Sequence, residues 1–316
     1  MSSLVSKSSK NSHQTEYFFS DETGDARIQV YHLYPGVEAA YVSVHMDQFD
    51  FGEIERELGN RYVGFHYCRE GRIEQEADNE FFYLMPGDCS IIIQDKQHKQ
   101  FYLPMRHYHG ISIGIDTNTA PDCFAEGLLE EGLVPVKVAK NICGEHHAAI
   151  LRACEPVKRI FTDLFEVKEE QRANYLKIKL LELLFLLKYT DHSAFNPEDI
   201  HVSRTQAELV KEVARYIGAN MNGKIALKDI TAKFSVSASY LQNSFRAVYG
   251  MPVISFIRMQ KMQSAAQVLI HTRRSIDDIA DEFGYINESK FSAVFKKIMG
   301  DSPSVYRKEH SKIKIW

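Results

Sequence analysis

The sequence has few cysteines and no long hydrophobic run, and these two absences exclude several classes of protein. Its five cysteines are odd in number and widely spaced, and none forms a Cys-x-x-Cys pair, so neither a disulfide framework nor a zinc knuckle is indicated. The most apolar run, residues 180–187, contains Glu182 and is too short to cross a bilayer. Residues 1–15 lack the apolar segment of a secretion signal. We therefore expect a protein of the reducing cytoplasm.

The two parts of the chain differ in charge. Residues 201–316 hold 18 Lys and Arg against 10 Asp and Glu, a net charge of +8, whereas residues 1–200 hold 20 against 32, a net charge of −12. The overall net charge of −4 hides this difference. A basic region joined to an acidic one indicates a polyanionic partner for the basic region alone, although charge that merely drifts along the chain would produce the same counts.

Residues 27–116 have the pattern of short β-strands separated by turns. Apolar residues alternate or form short runs at 41–46, 62–67 and 81–85. The tripeptide Pro86-Gly87-Asp88 predicts a tight turn, because proline fixes φ and glycine allows a positive φ. Short strands at this spacing predict a barrel or sandwich, which we assign to residues 27–144 behind a flexible N-terminus at residues 1–26.

Residues 145–190 have a helical period instead. The segment 175–187 is apolar over most of its circumference, which is more than the surface of one small domain would cover. We expect a helical dimerisation segment here, and a helix packed only on its own domain is the alternative. Residues 191–204 contain Asn196-Pro197 and few apolar residues, which predicts a linker before a helical domain at residues 205–310.

The strongest pattern in the chain is an internal repeat within that last domain. The first copy reads Leu227-x-x-Ile230-Thr231-x-x-Phe234-x-Val236 and continues with Leu241-x-x-x-Phe245-Arg246 and Gly250. The second copy begins 49 residues later and reads Ile276-x-x-Ile279-Ala280-x-x-Phe283-x-Tyr285, followed by Phe291-x-x-x-Phe295-Lys296 and Gly300. Each copy predicts a helix, a tight turn and a second helix, with small residues at the close crossing.

The second helix of each copy is the candidate DNA reader. Ser237 and Asn287 can cap these helices, and the apolar residues of the repeat face inward. The outer faces then present the polar residues that we predict to contact DNA: Ser239, Gln242, Asn243 and Arg246 in the first copy, and Ser289, Lys290, Ser292 and Lys296 in the second. Gln and Asn can bind adenine through two hydrogen bonds, whereas Arg246 and Lys296 suit the phosphate backbone. For any one of them, an ordinary solvated helix face is the alternative.

A long apolar stripe between the two copies predicts the helix that joins them. It runs from Val253 to Leu269 and is long enough to hold the two readers rigidly. If the readers lie about 34 Å apart, one protomer enters two successive major grooves on one face of the duplex.

These motifs resemble those of the AraC/XylS family of bacterial regulators. The resemblance covers about the last 100 residues and rests on Ser275-Ile276-x-x-Ile279-Ala280-x-x-x-Gly284-Tyr285, on Phe291-Ser292-x-x-Phe295-Lys296-Lys297-x-x-Gly300-x-Ser302-Pro303-x-x-Tyr306-Arg307, and on the echo Ser237-x-x-Tyr240-Leu241-x-x-x-Phe245-Arg246-x-x-x-Gly250-x-Pro252. It implies two helix-turn-helix units that bind promoter DNA in the major groove. Two residues depart from the usual pattern: Ala293, where many members have a larger polar or basic residue, and Lys261, where arginine is usual. The first departure weakens the expectation that the second unit reads bases.

The resemblance also implies what precedes the DNA-binding domain. Many members have a cupin-like β-barrel that holds a small effector and leads into a helical dimerisation segment. The expected fold class is therefore α+β, with an N-terminal cupin-like β-barrel and dimerisation segment and a C-terminal all-α domain with two helix-turn-helix units. The expected partners are promoter DNA, RNA polymerase, a small-molecule effector and a second copy of the chain. We expect no membrane partner and no cofactor.

Aromatic and histidine residues of the N-terminal half are the candidates for binding an effector or a metal. The aromatic residues, which can line a pocket or form the barrel core, are Tyr31, Phe65, Tyr67, Phe82 and Tyr83. The histidines that can ligate a metal are His45, His66, His98, His107 and His109. The carboxylate that usually follows the His-x-His pair of metal cupins is missing from residues 110–115, so we assign no metal. No third group completes a nucleophilic set with Cys68 and His66.

Three classes of function are consistent with these features. A ligand-responsive transcription factor accounts for every region. A cupin-type metalloenzyme with a helical appendage is the main alternative, and it requires a metal or catalytic set that is not visible. An architectural protein that binds DNA without sequence preference is disfavoured by the paired readers. We therefore expect a transcription regulator without catalytic residues.

Overall fold

The computed structural model describes residues 3–11, 13–21, 24–46, 48–50, 61–77, 80–95, 100–127, 129, 132–190, 202–220 and 225–310. The chain divides into two compact units, Met1–Ser203 and Arg204–Trp316, which we call the N-terminal and the C-terminal unit. Most of the predicted linker at residues 191–204 lies outside the described residues. Within the described ranges, no helix combines the length and the apolar character needed to cross a bilayer.

The described part of the N-terminal unit is built around an antiparallel sheet of eight strands. In chain order the strands of this unit are β1 (Ser3–Asn11), β2 (Gln14–Asp21), β3 (Gly24–Tyr34), β4 (Val37–His45), β5 (Gln48–Asp50), β6 (Arg61–Gly71), β7 (Ile73–Ala77), β8 (Glu80–Leu84), β9 (Cys89–Asp95), β10 (Gln100–Tyr102), β11 (Tyr108–Asp116) and β12 (Ala148–Leu151). The sheet has the order β1-β2-β3-β4-β11-β6-β9-β12, and two small ribbons pair β5 with β10 and β7 with β8.

The expected closed barrel is not observed. The strand order is linear, with β1 and β12 at its edges, so the sheet among the described residues is open. It is nevertheless buried on both faces: Tyr67 and Ile91 belong to a core shared with helices, whereas their neighbours Cys68 and Ile92 belong to a core shared with the ribbons. Because both faces are covered, apolar runs without alternation are favoured in these strands.

Residues 3–11 and 14–21 form β1 and β2, which differs from the flexible segment predicted at residues 1–26. β2 pairs with β3 so that Tyr17 lies opposite Ile28. Tyr17 and Phe19 are only 1% and 2% exposed, and the rings of Phe19 and Phe49 are 4.9 Å apart. The apolar alternation is too short, and its flanks too polar, for the sequence to reveal this strand.

The predicted turn at Pro86-Gly87-Asp88 is confirmed. Gly87 has a φ of 93°, in the left-handed region that favours glycine. The buried Asp88 carboxylate accepts a hydrogen bond from the backbone N–H of Met85 at 3.0 Å and pairs with Arg152. The turn between β8 and β9 is thereby tied to the segment that follows β12.

The helices of the N-terminal unit cover one face of the sheet. They are α1 (Pro135–Cys143), α2 (Glu155–Glu166) and α3 (Arg172–Lys188), with a short 3-10 turn at Glu169–Gln171. The helical segment predicted from residue 145 differs at its start, because residues 148–151 form β12 and pair with β9. A four-residue apolar run does not distinguish a strand from a helix by its period. α3 buries a row of leucines on its inner side: Leu176, Leu180, Leu183, Leu184 and Leu187.

The described part of the C-terminal unit is all helical. Its helices are α4 (Arg204–Ala219), α5 (Leu227–Phe234), α6 (Ala238–Tyr249), α7 (Val253–His271), α8 (Ile276–Glu282), α9 (Glu288–Met299) and α10 (Pro303–His310). Both α6 and α9 pack on α7, whose 19 residues span about 28 Å. This central helix is therefore shared by the two halves of the unit, as the apolar stripe predicted.

Candidate nucleic-acid interface

Each copy of the sequence repeat forms a pair of helices with its own apolar centre. In the first copy α5 and α6 bury Ile230, Leu241 and Phe245 completely. In the second, α8 and α9 bury the equivalent residues Ile279, Phe291 and Phe295 to the same degree. Of the two small crossing residues, Ala280 is fully buried and Thr231 is half-buried. The predicted helix, turn, helix pattern is confirmed in both copies.

Side-chain caps fix where the two reader helices begin. The Ser237 hydroxyl accepts a hydrogen bond from the backbone N–H of Tyr240 at 3.2 Å, and the Asn287 side chain accepts one from Lys290 at 2.9 Å. Both caps were predicted, and each satisfies an N–H that has no partner inside the helix. The first residues of α6 and α9, at 238–240 and 288–290, are exposed at the surface.

The tight turn of each unit contains a residue with positive φ. Gly284 has a φ of 79°, and Ser235 holds the equivalent place in the first copy with a φ of 54°. Glycine adopts this conformation without steric cost, whereas a residue with a Cβ is strained there. The two units thus reach the same turn geometry from different residues.

Lys261 joins the linking helix to the turn of the second unit. It lies on α7 and is 8% exposed, and its ammonium donates a hydrogen bond to the Phe283 carbonyl at 2.7 Å. Burial lowers the pKa of this lysine. The bond satisfies a carbonyl at the C-terminal end of α8. Lysine at this position, where arginine is usual in the AraC/XylS family, therefore makes a structural contact.

The structure places the predicted DNA-contacting residues of α6 on one outer face. Ser239, Asn243 and Arg246 are exposed, whereas Gln242 is half-buried. The amide oxygen of Gln242 is buried and has no hydrogen-bond partner among the described residues. An unsatisfied buried acceptor costs about 1–3 kcal/mol, so the burial of this amide oxygen is unfavourable.

The predicted residues of α9 also share one face. Ser289, Lys290 and Lys296 are exposed and Ser292 is half-buried. Ala293 lies exposed among them and has no polar atom in its side chain. The face of α9 is therefore richer in cations and poorer in hydrogen-bonding amides than the face of α6, and this difference favours backbone contacts for α9.

Two exposed apolar residues at the interface were not predicted from the sequence. Tyr240 in the first turn of α6 is 43% exposed, and Ile286, just before α9, is 79% exposed. Pattern analysis assigns large apolar residues to the core, so it passes over them. The signal that could have found them is position, because each lies within three residues of a helix cap, where apolar side chains can contact thymine methyl groups.

The histidines and Cys68 that were considered for a metal or nucleophilic site lie in different surroundings in the N-terminal unit. His45 and His109 are in contact, with their Nε2 atoms 2.9 Å apart, but His66 bonds to Ser112 instead and His98 lies outside the described residues. Across the described ranges, no three His, Cys, Asp or Glu side chains are grouped as a metal site. Cys68 is fully buried, and burial raises the pKa of its thiol, which is the opposite of what a nucleophile needs.

Comparison with known proteins agrees with the geometry of the C-terminal unit. A helix-turn-helix domain model matches residues 230–309. The chain is 31% identical over 102 residues to the HTH-type transcriptional activator AarP of Providencia stuartii, a match that covers 32% of this chain and 76% of AarP. The chain belongs to the AraC/XylS family. As a member of that family it is a DNA-binding transcription regulator and not an enzyme.

Two further comparisons give matches of similar length. The F1 operon positive regulatory protein of Yersinia pestis is 35% identical over 99 residues, which is 31% of this chain but only 33% of that protein. The solved C-terminal domain of AraT, a response regulator from Geobacillus stearothermophilus, is 30% identical, with a TM-score of 0.32, and covers 34% of this chain and 88% of that domain. The chain therefore spans about a third of the length of the F1 protein.

The left-handed turn of the second unit leads to a stability prediction. Gly284→Ala places a Cβ at a φ of 79°, and we expect it to lower the free energy of unfolding by about 1 kcal/mol. The matched control is Gly218→Ala, because Gly218 lies in α4 without a left-handed φ and no atom lies within 4 Å of the added Cβ. The control should leave stability unchanged or raise it by up to about 1 kcal/mol. Urea unfolding followed by circular dichroism measures both, and equal changes would contradict the prediction.

Proposed function

We propose that this regulator reads two segments of promoter DNA with α6 and α9, forms a dimer, and responds to a small molecule bound in its N-terminal unit. The observation that carries the proposal is the pair of capped helices that present exposed polar faces and pack on one linking helix. The net charge of +8 over residues 201–316 supports a polyanionic partner.

The two reader helices are proposed to have different roles. On α6, Gln242 and Asn243 carry amides that can bind a base edge through two hydrogen bonds, and Ser239 lies one turn closer to the helix start. On α9, Lys290 and Lys296 suit phosphates, with Ser289 and Ser292 as supporting contacts. Arg246 is exposed toward the end of α6 and is proposed to bind the backbone. Sequence reading then falls mainly to the first unit.

Activation is proposed rather than repression. AarP is named as a transcriptional activator and the F1 operon protein as a positive regulator, and they are 31% and 35% identical to this chain over 102 and 99 residues. Because an activator raises transcription by RNA polymerase, we propose that enzyme as a partner alongside promoter DNA.

An apolar cavity is the candidate effector site. It has a volume of about 80 Å³ and lies on the ribbon-covered face of the sheet, with apolar walls that include Val30, Val42 and Tyr108. Its polar groups are Glu38, His66, Gln75 and Ser112. Burial lowers the pKa of His66 to about 4, so its imidazole is neutral at pH 7, and it bonds to Ser112 at 3.0 Å. The cavity suits a small, largely apolar molecule with one or two hydrogen-bonding groups.

The aromatic residues that the sequence offered for the effector do not line this cavity. Tyr31, Phe65 and Tyr67 lie in the core between the sheet and the helices, and Phe82 lies in the core beneath the ribbons. The Tyr83 hydroxyl donates a hydrogen bond to the Glu74 carboxylate at 2.5 Å within the interior. These five residues are therefore assigned to packing.

The outer side of α3 supports dimerisation. Ile178, Phe185 and Tyr189 are 58%, 46% and 65% exposed, and their spacing places them along one side of the helix. The opposite side is filled by the buried leucines. A helix that is apolar on both sides has more apolar surface than its own unit covers, and a second copy of the same helix offers a matching surface across a two-fold axis.

Selection of binding sites from random duplex DNA tests the proposed function. Full-length protein should enrich a motif with two conserved blocks about one helical turn apart. If neither the full chain nor residues 200–316 enrich any sequence, the proposal of specific reading is wrong. Enrichment by the fragment alone would show that the N-terminal unit restrains DNA binding until its ligand is present.

Substitutions in the two readers should separate base reading from backbone binding. Gln242→Ala removes the amide and should relax preference at one position of the motif. Lys296→Ala should weaken binding to all sequences and lower the slope of log K against log salt by about one unit. Lys158→Ala, which removes an exposed lysine of α2, is the control and should change neither. Quantitative binding over a salt series measures all three, and equal effects of Gln242→Ala and Lys296→Ala would contradict the division of roles.

The proposed dimer leads to a prediction about α3. Phe185→Glu puts a charge on the exposed apolar side and should convert a dimer to a monomer, because a buried charge without a partner is strongly unfavourable. Asn141→Glu adds the same charge at an exposed polar position of α1, away from the proposed surface, and should leave the dimer intact. Light scattering coupled to gel filtration gives the mass of each variant. A monomeric wild-type protein, or a dimeric Phe185→Glu variant, would rule out this interface.

A further inference from the structure

A second cavity of the N-terminal unit is lined by three arginines. It has a volume of about 220 Å³ and lies on the helix-covered side of the sheet, where the last turn of α2 and the first residue of α3 meet β3, β4, β6 and β11. The arginines are Arg27, Arg69 and Arg172, and none of the described residues that line the cavity is acidic. Guanidinium groups repel one another, and the carboxylates that pair with two of these arginines lie outside the cavity lining.

Arg172 is held in a fixed orientation with one edge unused. Its guanidinium lies over the ring of Tyr41 at 4.5 Å, and one terminal nitrogen donates to the Gln29 side chain at 3.3 Å. The Tyr41 ring is itself anchored, because its hydroxyl donates to the Leu164 carbonyl at 2.6 Å. The Nε atom of Arg172 is buried and has no hydrogen-bond partner among the described residues. A buried N–H without an acceptor is unfavourable, and an oxyanion on this edge would satisfy it.

Arg69 and Arg27 bring further donors to the same cavity. Arg69 lies over the Phe165 ring at 4.5 Å, and its Nε is 3.5 Å from the Glu70 carboxylate, which is long for a charged hydrogen bond. Arg27 forms an ion pair with Glu16 at 2.5 Å through one of its nitrogens. Each guanidinium has five N–H donors, so both arginines retain donors for a ligand.

The charge of the cavity is positive and comes from the arginines. Burial, and then the neighbouring His45, lower the pKa of His109, which leaves the lining imidazole neutral at pH 7. The two carboxylates that pair with Arg27 and Arg69 do not line the cavity. The three guanidinium groups outnumber the two carboxylates that pair with them, so the cavity has a net positive charge. Guanidinium groups that stack on aromatic rings keep their edges free for planar, two-point binding of carboxylate or phosphate.

We propose that this arginine pocket, lined by Arg27, Arg69 and Arg172, binds a small oxyanion that carries a carboxylate or phosphate group. Its volume of about 220 Å³ lies below the roughly 300–1,000 Å³ typical of sites for drug-sized ligands, which fits a small organic acid or inorganic phosphate. The site differs from the apolar cavity in position and in chemistry. Its test is also independent of the proposed function, because anion binding can be measured without DNA.

Isothermal titration of the full-length protein with citrate and, separately, with inorganic phosphate tests the proposal. Both titrations are made at constant ionic strength against sodium chloride, so that general screening by salt is subtracted. We expect saturable binding of at least one anion. The anion that binds distinguishes a carboxylate ligand from a phosphate ligand. The absence of saturable binding by both would overturn the proposal.

Substitutions assign the binding to the pocket. Arg172→Gln should weaken binding about tenfold or more, since it removes charge-assisted hydrogen bonds to the anion. Arg172→Lys should have an intermediate effect because it keeps the charge but loses the two-point geometry. Arg159→Gln removes an exposed arginine of α2 and should bind like the wild type. If Arg172→Gln does not fold, Arg69→Gln replaces it, because the Arg69 side chain is 50% exposed. Binding that survives these substitutions but is lost in Lys296→Ala would assign the anion to the DNA-binding surface and overturn the proposal.

Discussion

The packing of two small helix pairs on one shared helix is the interaction on which the C-terminal unit depends. Each helix-turn-helix unit has only two short helices, α5 with α6 or α8 with α9, and so few residues cannot bury enough apolar surface to fold alone. α7 provides the missing surface to both: it buries Phe256 and Met262 along with six other side chains. Because one rigid helix serves both units, their separation and orientation follow from its length and from the sides on which they pack.

Hydrogen bonds from Lys261 and Arg307 then fix the positions of the second-unit turn and of α10 relative to α7. Lys261 bonds to the Phe283 carbonyl, so the turn of the second unit cannot slide along α7. At the other end of the helix, Arg307 bonds to the carbonyls of Leu269 and Arg274, which ties α10 to the segment that follows α7. Hydrogen bonds require particular angles between donor and acceptor, whereas apolar packing does not. The hydrogen bonds and the core together therefore hold the reader helices in one arrangement.

The N-terminal unit depends on a different constraint, which is the covering of a sheet on both faces. Helices cover one face and two ribbons the other, and among the described residues a cavity lies on each face. The gap under the ribbons is apolar, with a neutral histidine. The gap beside the helices is cationic and includes Arg172, the first residue of α3, the same helix whose exposed side is proposed to form the dimer. A ligand in that gap would contact Arg172 at the start of α3 directly.

The sequence by itself determined the C-terminal domain, because its information is local. The spacing of Leu241, Phe245, Phe291 and Phe295 encodes helix faces, Ser237 and Asn287 encode helix starts, and the repeat shows that both occur twice; each of these depends on residues a few positions apart. Only the tertiary structure decided the rest. Whether eight strands close into a barrel, whether residues 148–151 join a sheet, and whether Arg27, Arg69 and Arg172 meet all depend on contacts between residues far apart in the chain, and no local period records which distant strand or helix a residue will face.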